Sequence, residues 1–144
     1  MEQQETKIAK KDLIRKKTGY PGMEIHKSGE VEYLTFPALE RFNIVTHMVT
    51  SRFGGVSTGD CASFNFSYAR DTSREAVDEN FRRAAGVFGT TLDAFVCSDQ
   101  THTTNIRRVE KEDAGKGVTK EKDYRDVDGL ITNVPGLILG TFYA

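Results

Sequence analysis

The sequence predicts a chain of mixed α and β structure in which short strands outnumber helices. Several runs of apolar and β-branched residues have the length of strands and end at glycine, proline or asparagine, whereas one segment alone repeats its apolar residues at helical spacing. A length of 144 residues with 38% hydrophobic content suits one domain of ordinary size. We therefore expect a single domain over residues 19–144, preceded by a charged segment.

The first 18 residues predict a tail or a frayed helix. Their sizeable apolar residues are Ile8, Leu13 and Ile14, which together bury too little surface to hold a packed structure. The segment is basic, but no aromatic residue that could stack on a base comes before Tyr20. An RNA-binding arm is therefore not favoured.

Composition excludes several classes of protein. Twenty basic and 21 acidic residues leave a formal charge of −1, which creates no field that would attract nucleic acid or a membrane surface. There is no basic and apolar leader and no apolar run of about 18 residues. Cys61 and Cys97 are too few for a disulfide framework and predict free thiols. We expect a cytoplasmic protein.

Two strands are predicted in the first third of the chain. Residues 31–36 are rich in β-branched and aromatic side chains and are closed by Pro37. Residues 44–51 form the second run and contain His47, which we interpret as a buried or half-buried structural histidine.

A glycine-rich loop follows from Arg52 to Asp60. Its glycines permit backbone angles that let successive N–H groups face one concavity, and Arg52 lies beside them. The loop is not a Walker motif, because it has no lysine and no helix is expected directly after it. An anion site for phosphate and a strained hairpin turn are both compatible with these residues.

Residues 62–68 alternate small or polar residues with aromatic ones, which predicts a half-buried strand. The one clear helix comes next. Thr72 followed by Glu75 fits a capping box, and Gly89 is expected to end the helix. Helical spacing relates the apolar residues Val77, Phe81, Ala84, Ala85 and Phe88.

His102 lies in a polar turn between two apolar runs, in residues 95–106. An imidazole at the end of a strand, next to Gln100 and small hydroxyl residues, suits a metal ligand or a general acid or base. A surface or capping histidine is the alternative.

The remaining segments predict a mobile loop and two strands. Residues 107–125 are rich in lysine and glutamate and suggest the loop, and strands are expected at 127–132 and 137–144 with a turn between them. The last run is the most apolar and stops without a turn or polar tail, so we expect the sequence to be cut there.

Five motifs together resemble one bacterial family. They are the sequences at residues 50–57, 63–66, 79–83, 100–102 and 126–132. In order and spacing they are similar to the family variously labelled polyphenol oxidase or laccase domain, purine nucleoside phosphorylase, and peptidoglycan editing factor. The resemblance extends from about Thr46 to Ala144.

The resemblance implies an α+β fold of mixed sheets flanked by helices and a zinc enzyme acting on purine nucleosides. Such proteins split adenosine, inosine and methylthioadenosine with phosphate, and deaminate adenosine. His102 corresponds to a zinc ligand of the family, while the other two ligands, a cysteine in an Ala-Asp-Cys motif and a later histidine, are expected beyond Ala144. The chain by itself is then expected to be inactive.

The resemblance also suggests roles for other residues. Arg52 with the amides of Gly54 and Gly55 is expected to hold phosphate, and Asn65 to secure the glycine loop. Gln100 is expected to orient His102 or line the nucleoside site, and Asp128 to form a turn rather than to act as a catalytic acid. Two alternatives remain, a copper-type polyphenol oxidase and a binding module without catalysis.

Overall fold

The computed structural model describes residues 22–143, which divide into two compact units, one ending at Gly54 and one beginning at Gly55. The fold is α+β, as predicted, with short strands in three small sheets and few helices. The segment predicted as a tail, residues 1–18, lies outside the described residues. Within residues 22–143 no helix has the length and apolar character needed to cross a bilayer.

The first unit is built on an antiparallel sheet. Strand β1 (Glu24–Ser28) pairs with β2 (Val31–Thr35), which in turn pairs with β3 (Val49–Thr50). Ser28 faces Val31 in the register, and Gly29 supplies the positive φ of 56° that this tight turn requires. Strand β2 confirms the first predicted strand. Strand β1 was not predicted, because its residues are mostly polar and exposed.

The strand predicted over residues 44–51 is wrong except at Val49 and Thr50. Ile44 and Val45 are 81% and 56% exposed, so their β-branched side chains have no partner surface to pack on. Helix α1 (Pro37–Glu40) follows β2 instead. His47 is half-buried, and its Nε2 accepts the Phe36 N–H at 2.7 Å. The structural role predicted for His47 is confirmed.

The second unit contains the predicted helix as α2 (Arg74–Val87). The cap is Ser73 rather than Thr72, since the Ser73 hydroxyl accepts the Ala76 N–H at 3.1 Å. The last helical residue is Val87, Phe88 is the C-cap, and Gly89 follows with a φ of 68°, as predicted. Four of the five predicted apolar residues are buried, namely Val77, Phe81, Ala84 and Ala85. Asn80 is also buried, which was not predicted.

Residues 62–68 do not form the predicted strand. Their rings do enter the core, where Phe66 meets Phe81 of α2 at 4.9 Å between ring centroids. The backbone is irregular because side chains satisfy it, as in the Ser67 N–H that donates to Asn65 Oδ1 at 3.1 Å. Aromatic alternation therefore indicated burial but not strand pairing.

Two parallel strand pairs complete the second unit. Strand β4 (Phe95–Cys97) pairs with β7 (Ile138–Gly140), and β5 (Ile106–Arg108) pairs with β6 (Gly129–Ile131). The predicted strands at 127–132 and 137–144 exist but are shorter. A cluster of Val96, Val109, Tyr124 and Val127 forms the core beneath them.

The prediction of a mobile loop over residues 107–125 is wrong, because the segment is folded against β4. Gly115 N–H donates to Phe95 O at 2.8 Å, and Cys97 N–H donates to Lys116 O at 3.0 Å. The Lys116 ammonium lies 2.7 Å from Asp113 and 2.8 Å from Asp123. Lys116 thus forms ion pairs with two acidic residues of the segment and helps to hold it in place.

Candidate functional site

The His102 loop, residues 99–105, connects β4 to β5. It begins at Asp99, which forms an antiparallel bridge with Val127, and its residues from Gln100 to Asn105 are exposed. His102 has a φ of 65°, in the left-handed region that side chains with a Cβ avoid at a cost of about 1–2 kcal/mol. Something must therefore hold this loop in place.

The Asp128 carboxylate holds the loop. It accepts three consecutive backbone N–H groups, from Thr101 at 3.2 Å, His102 at 2.8 Å and Thr103 at 2.9 Å. The Thr103 hydroxyl adds a fourth bond at 2.7 Å. These bonds, led by those from Thr103, lower the pKa of Asp128 to about 2. Asp128 is thus a turn-forming residue in the structure, and it directly precedes β6.

Asp126 gives the loop a second support, which the sequence had not indicated. Its carboxylate accepts the Thr101 hydroxyl at 2.9 Å, and its backbone carbonyl accepts Asn105 Nδ2 at 2.9 Å. Across residues 22–143 the His102 imidazole makes no hydrogen bond, so its ring nitrogens are available to a ligand. The hydrogen bonds of the loop thus fix its backbone, and the imidazole remains exposed.

Gln100 does not bond to His102. Its side-chain oxygen accepts the Phe142 N–H at 2.9 Å, which ties the beginning of the loop to the residues after β7. Both residues are exposed, and Phe142 itself is 42% exposed. Gln100 therefore links two segments at the edge of the second unit.

The glycine loop divides between the two units, with Arg52 and Gly54 in the first and Gly55 in the second. A Cβ on Gly54 would overlap the Glu30 carbonyl oxygen, and a Cβ on Gly55 would overlap that of Ser63. The glycines are thus required for close backbone contact inside each unit. The Arg52 side chain is exposed.

Asn80 fastens the loop beyond Gly55. Its Oδ1 accepts the Val56 N–H at 2.9 Å, and its Nδ2 donates to Ser57 Oγ at 2.9 Å and to Asn65 O at 2.7 Å. The Asn65 side chain points elsewhere and donates to Asp71 at 3.1 Å. Asn65 is therefore joined to the glycine loop through Asn80, a residue that its position on an apolar helix face could have revealed.

The residues described in the structure do not form a metal site by themselves. Over residues 22–143 there is no group of three or more histidine, cysteine, aspartate or glutamate side chains that could hold an ion. Both cysteines are free, as predicted. Burial raises the pKa of the Cys97 thiol to about 12, so it is no ready thiolate ligand. A zinc ion on His102 therefore needs ligands from elsewhere.

Known proteins share both the sequence and the fold. A purine nucleoside phosphorylase, YlmD of Geobacillus stearothermophilus, is 34% identical over 100 residues, which are 67% of this chain and 35% of that protein. The purine nucleoside phosphorylase of Deinococcus radiodurans is 32% identical over 72% of this chain and 37% of its own length.

Solved structures agree with this match. The crystal structure of YlmD from Geobacillus stearothermophilus superposes with a TM-score of 0.69 at 30% identity, and that of the hypothetical protein YfiH of Bacillus licheniformis with 0.68 at 27%. Each match covers 83% of this chain and 44% of the other. The chain thus spans about a third of the length of the curated relatives and less than half of the solved chains.

The family model described as multi-copper polyphenol oxidoreductase laccase matches residues 46–144, which is the range over which the five motifs resemble the family. More than half of the chain is included, and the motif that carries His102 and the one that carries Asp128 both lie inside it. The chain belongs to the multi-copper polyphenol oxidoreductase laccase family.

Proposed function

We propose that this chain forms part of a purine nucleoside phosphorylase, in which His102 serves the active site. The observation that carries the proposal is the His102 loop, where a strained backbone is held by Asp128 while the imidazole is left exposed and without a hydrogen bond to any of residues 22–143. Strain of this kind is kept where a side chain has a task. Relatives with the name purine nucleoside phosphorylase supply the reaction.

The proposed substrates are a purine nucleoside, such as adenosine, inosine or methylthioadenosine, and phosphate. In phosphorolysis the bond between the sugar and the purine nitrogen breaks, and a phosphate oxygen bonds to the same sugar carbon. The purine leaves with the bonding electrons and takes up a proton. The products are the free base and the sugar 1-phosphate.

Arg52 is the residue that we propose for phosphate. Arg52 is an exposed residue, and a guanidinium is the group best suited to donate charge-assisted hydrogen bonds to two oxygens of an anion. Fewer backbone N–H groups of the loop are available to phosphate than the sequence suggested, because those of Val56 and Ser57 donate to Asn80 and Ser63. Gly54 and Gly55 remain the proposed amide contacts, and Asn65 and Gln100 remain proposed nucleoside contacts.

We further propose that His102 is one ligand of a zinc ion, with the other ligands supplied from outside the described residues, and that adenosine deamination shares this site. Copper is the alternative metal, since imidazole binds either ion. Metal analysis after dialysis distinguishes zinc from copper. We place the activity in the cytoplasm, where free thiols such as Cys61 and Cys97 persist.

The test compares the 144-residue chain alone with the same chain joined in frame to the part of the Geobacillus stearothermophilus protein that follows the matched region. We expect adenine and hypoxanthine release from adenosine and inosine, dependent on phosphate, for the joined protein only. His102→Ala should abolish release, and Arg52→Ala should raise the KM for phosphate more than that for nucleoside.

Two controls accompany these variants. Arg82→Ala removes an exposed arginine that pairs with Glu79 on α2, and His26→Ala removes a histidine bonded to Thr35. Neither should change the phosphate dependence. A folded joined protein that releases no base, or a His102→Ala variant that keeps full turnover, would count against the proposed function.

A further inference from the structure

The inference concerns how the His102 imidazole is aimed. Histidine is a poor choice for a left-handed position, since glycine or asparagine adopts it at lower cost. The loop is exposed from Gln100 to Asn105, so packing does not impose this conformation. The restraint has to come from hydrogen bonds.

Those bonds converge on one side chain. Three successive N–H groups, of Thr101, His102 and Thr103, all point at the Asp128 carboxylate, and the His102 bond is the shortest of the three at 2.8 Å. Oδ1 accepts the His102 N–H, while Oδ2 accepts the Thr101 and Thr103 N–H groups and the Thr103 hydroxyl, so both carboxylate oxygens are used. No neutral side chain of the same size can accept all four.

Backbone hydrogen bonds in turn hold Asp128 in place. Its N–H donates to the Asn105 carbonyl at 3.0 Å, and the next residue, Gly129, donates to the same oxygen at 3.1 Å before β6 begins. Asp128 is thus fixed at the beginning of the parallel pair β5–β6, and its carboxylate connects the loop to this regular structure.

We propose that Asp128 is the positioning residue for His102, fixing its left-handed backbone and thereby the direction in which the imidazole faces its ligand. The positioning role of Asp128 rests on the proposed function in one respect only, namely that His102 acts in the active site. Asp128 touches the backbone of the loop and needs no contact with substrate. Its removal should therefore lower turnover without changing how phosphate binds.

The first arm of the test is amide hydrogen exchange by NMR on the 144-residue chain. In the wild type the amides of residues 101–103 should exchange about tenfold or more slowly than expected for an exposed loop. Asp128→Asn keeps the shape but replaces one acceptor oxygen with a donor, so it should remove this protection at the amides that faced the replaced oxygen, either His102 on Oδ1 or Thr101 and Thr103 on Oδ2. Thr103→Val deletes the hydroxyl with its bonds to Asp128, Asp126 and the Asn105 N–H but keeps the three amide bonds to Asp128, so it should leave most of the protection.

Asp93→Asn is the matched control, because Asp93 is exposed in a short turn before β4 and should leave the three amides as they are. Protection that persists at all three amides in Asp128→Asn would overturn the proposal. This arm uses no substrate or metal, so it decides the positioning role even where the proposed function fails.

The second arm measures the joined protein. Asp128→Asn should lower kcat about tenfold or more, with the KM for phosphate within about twofold of wild type and with a circular dichroism spectrum that shows a folded protein. Thr103→Val should have a smaller effect in the same direction. An unchanged kcat in Asp128→Asn, with wild-type turnover present, would overturn the proposal, whereas an inactive wild type would refute the proposed function alone.

Discussion

The glycine loop and the His102 loop were both candidate ligand-binding loops in the sequence, but the structure gives them opposite characters. In the glycine loop the unusual residues are explained by packing, because Gly55 lies against the Ser63 backbone and Asn80 takes up the next amide. In the His102 loop nothing is packed, and the unusual backbone leaves a reactive side chain exposed.

The contrast teaches how to weigh glycines against strain. A glycine is cheap in any conformation, so a glycine-rich loop shows only that the backbone has to pass close to something. A histidine at positive φ costs free energy and does not improve packing, so its presence points to function. The functional argument is therefore stronger for His102 than for Gly54 and Gly55.

The largest expected effect tests the packing side of the comparison. Gly55→Ala places a Cβ against the Ser63 carbonyl and the Phe64 Cα, both backbone atoms that cannot move aside. We expect a loss of about 3 kcal/mol or more in the free energy of unfolding, measured by urea denaturation.

Gly86→Ala is the matched control. Gly86 lies in α2 with open space where its Cβ would be, so alanine should raise stability by about 0.5–1 kcal/mol. A Gly55→Ala protein as stable as the wild type would remove the packing explanation of the loop.

Asn80→Leu should cost slightly less, about 3 kcal/mol. Leucine fits an apolar helix face but leaves the Val56 N–H and the Asn65 carbonyl without their partner inside the protein. Thermal melting followed by circular dichroism measures the loss. Arg82→Leu, on the exposed face of the same helix, should change stability by less than about 0.5 kcal/mol. Equal melting temperatures for the two variants would contradict the role of Asn80 as a clamp.

The same contrast applies to two carboxylates, the packed Asp113 and the exposed Asp126. Burial alone would raise the pKa of Asp113, but bonds from Lys116, the Glu110 N–H and Arg107 outweigh it and hold the pKa at about 2, below the ordinary 3.8. Because the folded pKa is depressed, this stabilisation is present above about pH 4 and is lost as the pH falls towards 2.

Asp113→Asn should therefore lower stability by about 2 kcal/mol at pH 7, and the difference from wild type should shrink between pH 4 and pH 2. Urea titrations at pH 7, 4 and 3 measure it. Asp126→Asn, which changes a carboxylate in an exposed loop, should cost less than about 1 kcal/mol. A constant difference for Asp113→Asn across this range would show that the charge is not the cause.

Sequence patterns predicted the parts of the fold that depend on burial. The apolar face of α2, the end of the helix at Gly89 and the apolar strands at residues 31–35 and 138–140 follow from spacing and composition alone. Predictions failed where side chains replace backbone pairing, as around Asn65, or where salt bridges order a charged segment, as around Lys116. These pairings are local in sequence, but the hydrophobic spacing on which the predictions relied does not record them.

The site followed the same rule. His102 could be chosen from its motif and polar setting, but its left-handed backbone is visible only in the structure. So are the four bonds from the His102 loop to Asp128, which join positions about 25 residues apart. Asp128 was recognised as a turn-former without its target, the His102 loop. Asn80 has a signal in the sequence, a polar residue on the apolar face of α2, whereas Asp126 has none beyond being a polar residue beside apolar ones.

The smallest expected effect is the sharpest test of the strained loop. His102→Gly should raise the free energy of unfolding by about 1 kcal/mol, because glycine adopts a φ of 65° without the clash of a Cβ. His102→Ala should show no such gain, since alanine keeps the Cβ and hence the strain. At His47, where the ring accepts the Phe36 N–H, the change to glycine should destabilise the protein instead.

In the joined protein both His102 variants should lose phosphorolysis. A more stable but inactive His102→Gly protein is the result expected of a residue kept for function at the expense of stability. Equal unfolding free energies for the glycine and alanine variants would show that the backbone at residue 102 is not strained, and the argument that singles out His102 would lose its physical basis.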